Sequence, residues 1–203
     1  VKIGVMADFG GLYSDIGGAG AADAAKMAID DFEPAKKNIN VEVVTGDPQS
    51  KPDLGVALAR RWFDNEGVDV LIDIPTSGIA LALQSLVKEK NKAMMVTAAG
   101  TSELTGKSCS ANTIHWTWDT WSNSHGTAEA VVKAGGKTWF FVTSDYTFGH
   151  TMEQEASAVV KANGGAVLGA VPRPLDSKDF SSFMLQAPAS KAQIIGPANG
   201  GHD

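Results

Sequence analysis

The stretch "IDIPTSGIALALQSL" (Ile72–Leu86) decides the fold. Up to Ile74, "VDVLIDI" (68–74) is a near-continuous apolar run rich in β-branched residues, the pattern of a strand buried on both faces. Pro75, Thr76, Ser77 and Gly78 interrupt it. From Gly78, "GIALALQSLVKEK" (78–90) carries apolar residues at helical spacing. A buried strand that hands over to a helix through a short polar turn is the unit of a parallel sheet covered by helices. The turn has its own chemistry. Thr76 or Ser77 can cap the helix, and Gly78 permits close approach to the backbone.

The same change of period recurs on both sides. Before it come strand "VKIGVMADF" (1–9), a helix within "GAADAAKMAIDDF" (20–32), strand "VEVVTGD" (41–47) and helix "PDLGVALARRWFDNEG" (52–67). The first of these helices places Ala21, Ala24, Ala25, Ala28 and Phe32 on one stripe, and the second has Pro52 in its first turn and Gly67 as its stop. After it come strand "AMMVTAA" (93–99) and an aromatic-rich strand within "NTIHWTWDTWSN" (112–123). Helix "HGTAEAVVKAG" (125–135), strand "TWFFVTSD" (138–145), helix "TMEQEASAVVKANGG" (151–165), strand "AVLGAVPRP" (166–174), a short helix near Phe180–Leu185 and strand "AQIIGPANGG" (192–201) complete the series. The pattern predicts an α/β chain of two lobes, 1–119 and 120–203, joined at Asp119–Ser122. Three strands and the end "GPANGGHD" leave the second sheet unfinished, so the chain is expected to be incomplete, a part of a longer protein.

Composition narrows the function classes. The 203 residues are 43% hydrophobic and 20% charged, with a net charge of −6 and both signs interspersed. That balance disfavours nucleic acid and anionic membrane surfaces, which call for a basic face. Cys109 is the single cysteine, so no disulfide forms within the chain and a cysteine-based zinc site is disfavoured. The apolar runs are too short for a transmembrane helix.

Four strand ends carry the candidate chemistry. Open α/β sheets bind ligands beyond the carboxyl ends of their strands, where helix amino termini offer free N–H groups. Thr76, Ser77 and Gly78 there make an anion cradle suited to a carboxylate. "ADFGGLYSDIGG" (7–18) brings Tyr13, "TAAGTSELTG" (97–106) brings small residues and hydroxyls, and "SDYTFGH" (144–150) brings Tyr146 and Phe148. Aromatics, small polar groups and one cradle fit a small organic acid with an apolar body, held where a cleft between two lobes is expected. Trp121 is placed near the joint, while Trp116 and Trp118 alternate on a strand and are assigned to the core.

Other chemistries find no support. "AGGKTW" (134–139) lacks the upstream glycine of a phosphate loop, with Val131 in its place. "GGAGAAD" (17–23) ends in Asp23 where a dinucleotide fingerprint needs glycine. Asp47 is read as a solvated strand end rather than a ribose ligand, and Asp8, Asp119 and Asp145 as caps or loop anchors. The histidines at 115, 125, 150 and 202 show no metal spacing, and no nucleophile elbow occurs. Neither cofactor nor metal is expected.

Together, "IGVMADFGGLYSDIG", "DPQSKPDLGVALARRWFDNEGVDVLID", "TSGIALAL", "TAAGTSELTG" and "TSDYTFGH" resemble the periplasmic solute-binding proteins of branched-chain amino acid-type ABC transporters. The resemblance runs through the whole chain and covers about the first half of a family member. It implies the two-lobed type I periplasmic-binding-protein fold, a periplasmic location with the signal peptide absent from this chain, no catalysis, and a membrane permease as partner. It also implies carboxylate binding by Ser77 and Gly78 and by Ala98, Ala99 and Gly100, with Phe148, before Gly149, lining the pocket. Amino-acid binders of the family often hold the α-ammonium with a threonine where Gly100 falls here; Thr101 replaces it only if the loop shifts by one. The acidic partner of that ammonium lies beyond residue 203 in the family. "DYTFG" resembles a subgroup linked to uptake of aromatic acids, which ranks an aromatic or other amine-free carboxylate slightly above a branched-chain amino acid. A dinucleotide-dependent enzyme with a Rossmann-like lobe and a ligand-sensing domain of a regulator are the competing readings.

Overall fold

The computed structural model describes residues 1–175 and 177–201. His202 lies outside the described residues. The chain separates into two compact units, Val1–Thr117 and Trp118 onward.

In the first unit, strands β1 (Lys2–Met6), β2 (Glu42–Gly46), β3 (Val70–Asp73), β4 (Ala93–Val96) and β5 (Thr113–His115) form one parallel sheet in the order β2-β1-β3-β4-β5. Helices α1 (Gly18–Phe32), α2 (Pro52–Asn65) and α3 (Ser77–Glu89) are the crossovers. The order reverses at β1, so the carboxyl ends of β1 and β3 flank the switch point of the sheet.

The main core joins one sheet face to α2 and α3. Met6, Leu71, Met94 and Val96 pack there with Trp62, Ile79, Leu83, Leu86 and Val87. Trp62 is 1% exposed and needs two glycines: a Cβ on Gly4 would stand 2.7 Å from its ring, and one on Gly46 2.9 Å from it. On the opposite face α1 covers Val5 and Ala7 through Ala22, with Ala21 and Ala25 partly buried. The predicted α1 stripe therefore turns: Ala24, Ala28 and Phe32 face solvent, and Gly18, Ala22, Ala25 and Ile29 point inward. Those inward residues repeat at the helical period from Gly18, the true start of α1.

In the second unit, β6 (Thr138–Ser144) runs between β7 (Ala166–Arg173) and β8 (Ile194–Ala198), all parallel. Trp139 and Phe141 pack under α4 (Thr120–Lys133) and α5 (Thr147–Ala162), while Phe140 and Val142 face Ala187 of α6 (Ser181–Ala189). Covered on both faces, β6 reads as an unbroken apolar run.

Two expectations change here. α4 starts at Thr120 because Asp119 caps it: Asp119 Oδ1 accepts the Ser122 N–H at 2.7 Å, and Ser122 Oγ accepts the Asp119 N–H at 3.2 Å. That cap ends the aromatic segment early, so β5 keeps three residues. Trp116 and Trp118 then fall outside any strand and are 74% and 50% exposed, not core. Among the described residues no helix is long and apolar enough to cross a membrane, and no cluster of metal-ligating side chains occurs.

Candidate functional site

The carboxyl ends of β1, β3 and β4 bring the first unit's candidates together. Met6, Asp73, Val96 and His115 lie side by side in register. Each chain segment leaving that row is tied to its neighbour by polar bonds.

After β1, the Asp8 carboxylate accepts the amides of Gly11 at 2.6 Å and Tyr13 at 2.9 Å, closing the glycine-rich loop on itself. Asp8 is thus the anchor expected, and Tyr13 is buried within the turn. Asp47 accepts the Phe9 and Gln49 amides at 3.0 and 2.7 Å, which ties the β1 and β2 ends and occupies the acid.

After β3, α3 begins at Ser77. Thr76 occupies the capping position, yet its side chain makes no capping bond. Ser77 does not cap either: its Oγ accepts the Thr101 N–H at 3.2 Å, across 24 residues of sequence. Both hydroxyls are buried, Ser77 at 1% and Thr76 at 5% exposure. The first intrahelical acceptor is the Thr76 carbonyl, bonded by Ala80 at 3.0 Å. The amides of Gly78 and Ile79 precede it and have no partner within the helix, the ordinary state of a helix start.

The loop after β4 is held from three sides. The Asp73 carbonyl accepts Thr97 N–H at 3.0 Å and Ala98 N–H at 3.3 Å, and the Ile74 carbonyl accepts Ala99 N–H at 3.0 Å. His115 Nε2 donates to the Ala99 carbonyl at 2.8 Å. Four of the five amides from Thr97 to Thr101 are thereby engaged, leaving Gly100 as the one outside these bonds. Ala98 and Ala99 contribute shape and carbonyls to this strand end rather than amides. Thr101 is fully buried, and its Oγ1 accepts the Glu103 amide at 3.3 Å.

The second unit gathers rings. Tyr146 precedes α5, and Phe148 sits in its first turn, 4% exposed. Their centroids are 5.9 Å apart. Trp118 meets Phe148 edge-on at 5.7 Å and 72°. Trp121, by contrast, lies in the first turn of α4 and stacks on His125 at 4.0 Å; it is 55% exposed. Trp118, not Trp121, is therefore the tryptophan that joins Phe148. Gly149 makes the α5 start possible, since a Cβ there would stand 2.2 Å from the Ser144 carbonyl oxygen and 2.9 Å from that of Ala198. His150 bonds Asp145 at 2.7 Å, which accounts for both side chains.

Asp73, Thr97, His115 and Trp118 were not among the sequence candidates. Trp118 had a signal in the spacing of "WTWD" from the Asp119 cap. The other three are brought into use only by neighbouring strands.

The first unit can take an anion's oxygen atoms on backbone N–H groups and hydroxyls, and the second can take a ring or an apolar body on aromatic faces. The sequence profile of a family described as periplasmic binding protein matches residues 1–203. The Leu/Ile/Val-binding protein homolog 6 of Brucella abortus (strain 2308) is 32% identical over 200 residues, 96% of this chain and 50% of that protein. The chain thus spans about half the length of the curated relatives it matches. A periplasmic binding protein of Burkholderia mallei is 48% identical with a TM-score of 0.95, over 99% of this chain and 54% of that one. A solute-binding protein of an R. palustris ABC transporter, solved in complex with 4-hydroxybenzoate, is 28% identical with a TM-score of 0.81, over 97% of this chain and 53% of its own.

Proposed function

The chain belongs to the periplasmic binding protein family, and on that premise we propose that it forms the solute-recognising part of a binding protein serving an ABC uptake transporter. It works in the periplasm, binds one solute without chemical turnover, and delivers it to a membrane permease. The solute is a small carboxylate with an aromatic body. Its carboxylate is received by the first unit at Ser77–Gly78 and Gly100–Thr101, beside Thr76, Ala98, Ala99 and Tyr13. On the second unit, Tyr146 and Phe148, together with Trp121, are the side chains to which we assign recognition of a ring.

The observation that carries this reading is the ring set on the second unit. Three aromatic side chains, Trp118, Tyr146 and Phe148, meet at the starts of α4 and α5. Ring stacking is worth about 0.5–1.5 kcal/mol per pair beyond burial, which favours a planar ligand over an aliphatic one of equal size. The R. palustris complex with 4-hydroxybenzoate supports the same class.

A branched-chain amino acid is the second reading, favoured by the Brucella relative's name. It needs a partner for the α-ammonium, and Gly100 stands where amino-acid binders often carry a threonine.

Isothermal titration with benzoate, 4-hydroxybenzoate and L-leucine separates the two. Binding of the benzoates at 1:1 with unchanged ligand recovered afterwards is the expected result. Saturation by leucine alone moves the assignment to amino acids. Conversion of any ligand, or a thermal shift with a nicotinamide dinucleotide, overturns the binding-protein reading itself.

A further inference from the structure

Asp73 ends β3 at 5% exposure, unlike an ordinary strand-end acid. Its φ is +79°, and Ile74 follows at +65°. Left-handed backbone is disfavoured for any residue with a Cβ and most of all for a β-branched one. Two such residues in succession are a concentrated strain at the point where the chain turns from β3 toward Ser77.

The strain has a visible product. It directs two consecutive carbonyls at the loop after β4, where they receive the Thr97, Ala98 and Ala99 amides. The Asp73 side chain repeats the contact, with Oδ1 accepting from Thr97 Oγ1 at 2.8 Å. Its other oxygen, Oδ2, is buried without a hydrogen-bond partner. That atom lies 3.0 Å from where a Gly17 Cβ would be, so Asp73 also packs against the start of α1. Burial pushes its carboxyl above the usual range, and the Thr97 hydroxyl opposes the shift. Strain and desolvation both act against folding here, and both are offset through the loop they hold.

We propose that Asp73 is a positioning residue. Through Thr97 and its own turned carbonyl, it sets the loop from Thr97 to Thr101 in the shape that receives a carboxylate. The binding consequence rests on the function proposed above, whereas the hold on the loop does not.

Two measurements on the chain test this with Asp73→Ala, Asp73→Asn and Thr97→Val. The first is amide hydrogen exchange without ligand, and the second is calorimetric titration with benzoate and with L-leucine. Asp73→Ala and Thr97→Val are expected to speed exchange at Ala98, Ala99 and Thr101 by about tenfold and to weaken the bound probe by about tenfold, the scale of one hydrogen bond. Asp73→Asn keeps an oxygen for the Thr97 hydroxyl and stays within about threefold of wild type on both readouts. A role confined to general stability would instead speed exchange across the whole sheet. Unchanged loop exchange in Asp73→Ala, equal damage from Asn and Ala, or a loosened loop with unaltered affinity overturns the proposal. Should Asp73→Ala not fold, Thr97→Val removes only the hydroxyl and decides the point. If the wild-type chain binds neither probe, the proposed function fails, and the exchange comparison still judges Asp73.

Discussion

Ser77 Oγ accepts the Thr101 N–H at 3.2 Å, joining the first residue of α3 to the loop that leaves β4. Both partners are buried, so the bond has no water to replace it. Ser77→Ala strands the Thr101 amide and is expected to cost about 1–2 kcal/mol of stability, the scale of an orphaned buried donor. Urea denaturation checks this, with an unchanged midpoint as the contrary result. Carboxylate affinity is expected to fall in parallel. Weakened binding at full stability would mean that Ser77 acts on the carboxylate alone and not also through the Thr101 amide.

Gly149 stands with its missing Cβ position 2.2 Å from the Ser144 carbonyl oxygen. The obstacle is backbone on β6, which cannot swing aside as a side chain can. Gly149→Ala is therefore expected to cost about 3 kcal/mol, the upper part of the usual overpacking range. Thermal melting reads the loss. A variant that melts with the wild type would show that α5 can start elsewhere.

Phe148 fills the first turn of α5 between Tyr146 and Trp118. Truncating a buried phenylalanine to alanine costs about 3–5 kcal/mol where the site does not collapse. Partial exposure of the neighbouring Trp118 favours the lower end. Phe148→Ala is also expected to weaken benzoate more than leucine, as calorimetry can show. Equal losses for the two would argue against ring contact.

Asp73 gives a dependence on pH whose sign is fixed by burial. Its carboxyl titrates above the ordinary 3.8 in the folded state. Its contribution to stability is fully present below that ordinary value and is lost as pH rises through the raised one. Above the ordinary value, the burial that raises this carboxyl counts against the native chain. Asp73→Asn removes the charge and keeps the shape, so its melting temperature is expected to exceed the wild type's at pH 7. The difference should vanish near pH 3. A constant difference across that range would mean that the gain has another source.

The architecture was written in periodicity. β3 and β6 are apolar because both of their faces are covered, β4 buries only Met94 and Val96 and leaves Met95 exposed, and Pro52 and the Ser77 turn mark helix starts without reference to any other segment. α4 begins ahead of the segment 125–135 that its periodicity predicts because Asp119 caps through Ser122, a variant of the usual acidic partner three residues on. That shift moved Trp121 onto a helix and left Trp116 and Trp118 in the open. The candidate site was legible as a set of strand ends, and its wiring was not. Ser77 and Thr101 are 24 residues apart, as are Asp73 and Thr97. Nothing local in Asp73–Ile74 announces left-handed backbone, since neither is glycine. Contacts of that kind exist only once the sheet has formed.

Cys109 is this chain's one thiol, and it is exposed. It follows closely on the short turn Ser102–Leu104, whose first bond is made by Thr101. A maleimide dye would therefore attach at a single known place, a few residues along the chain from the segment that Asp73 and Ser77 restrain, with no competing cysteine to remove. Emission that changes as solute is added would turn the chain into an optical reporter of its own occupancy.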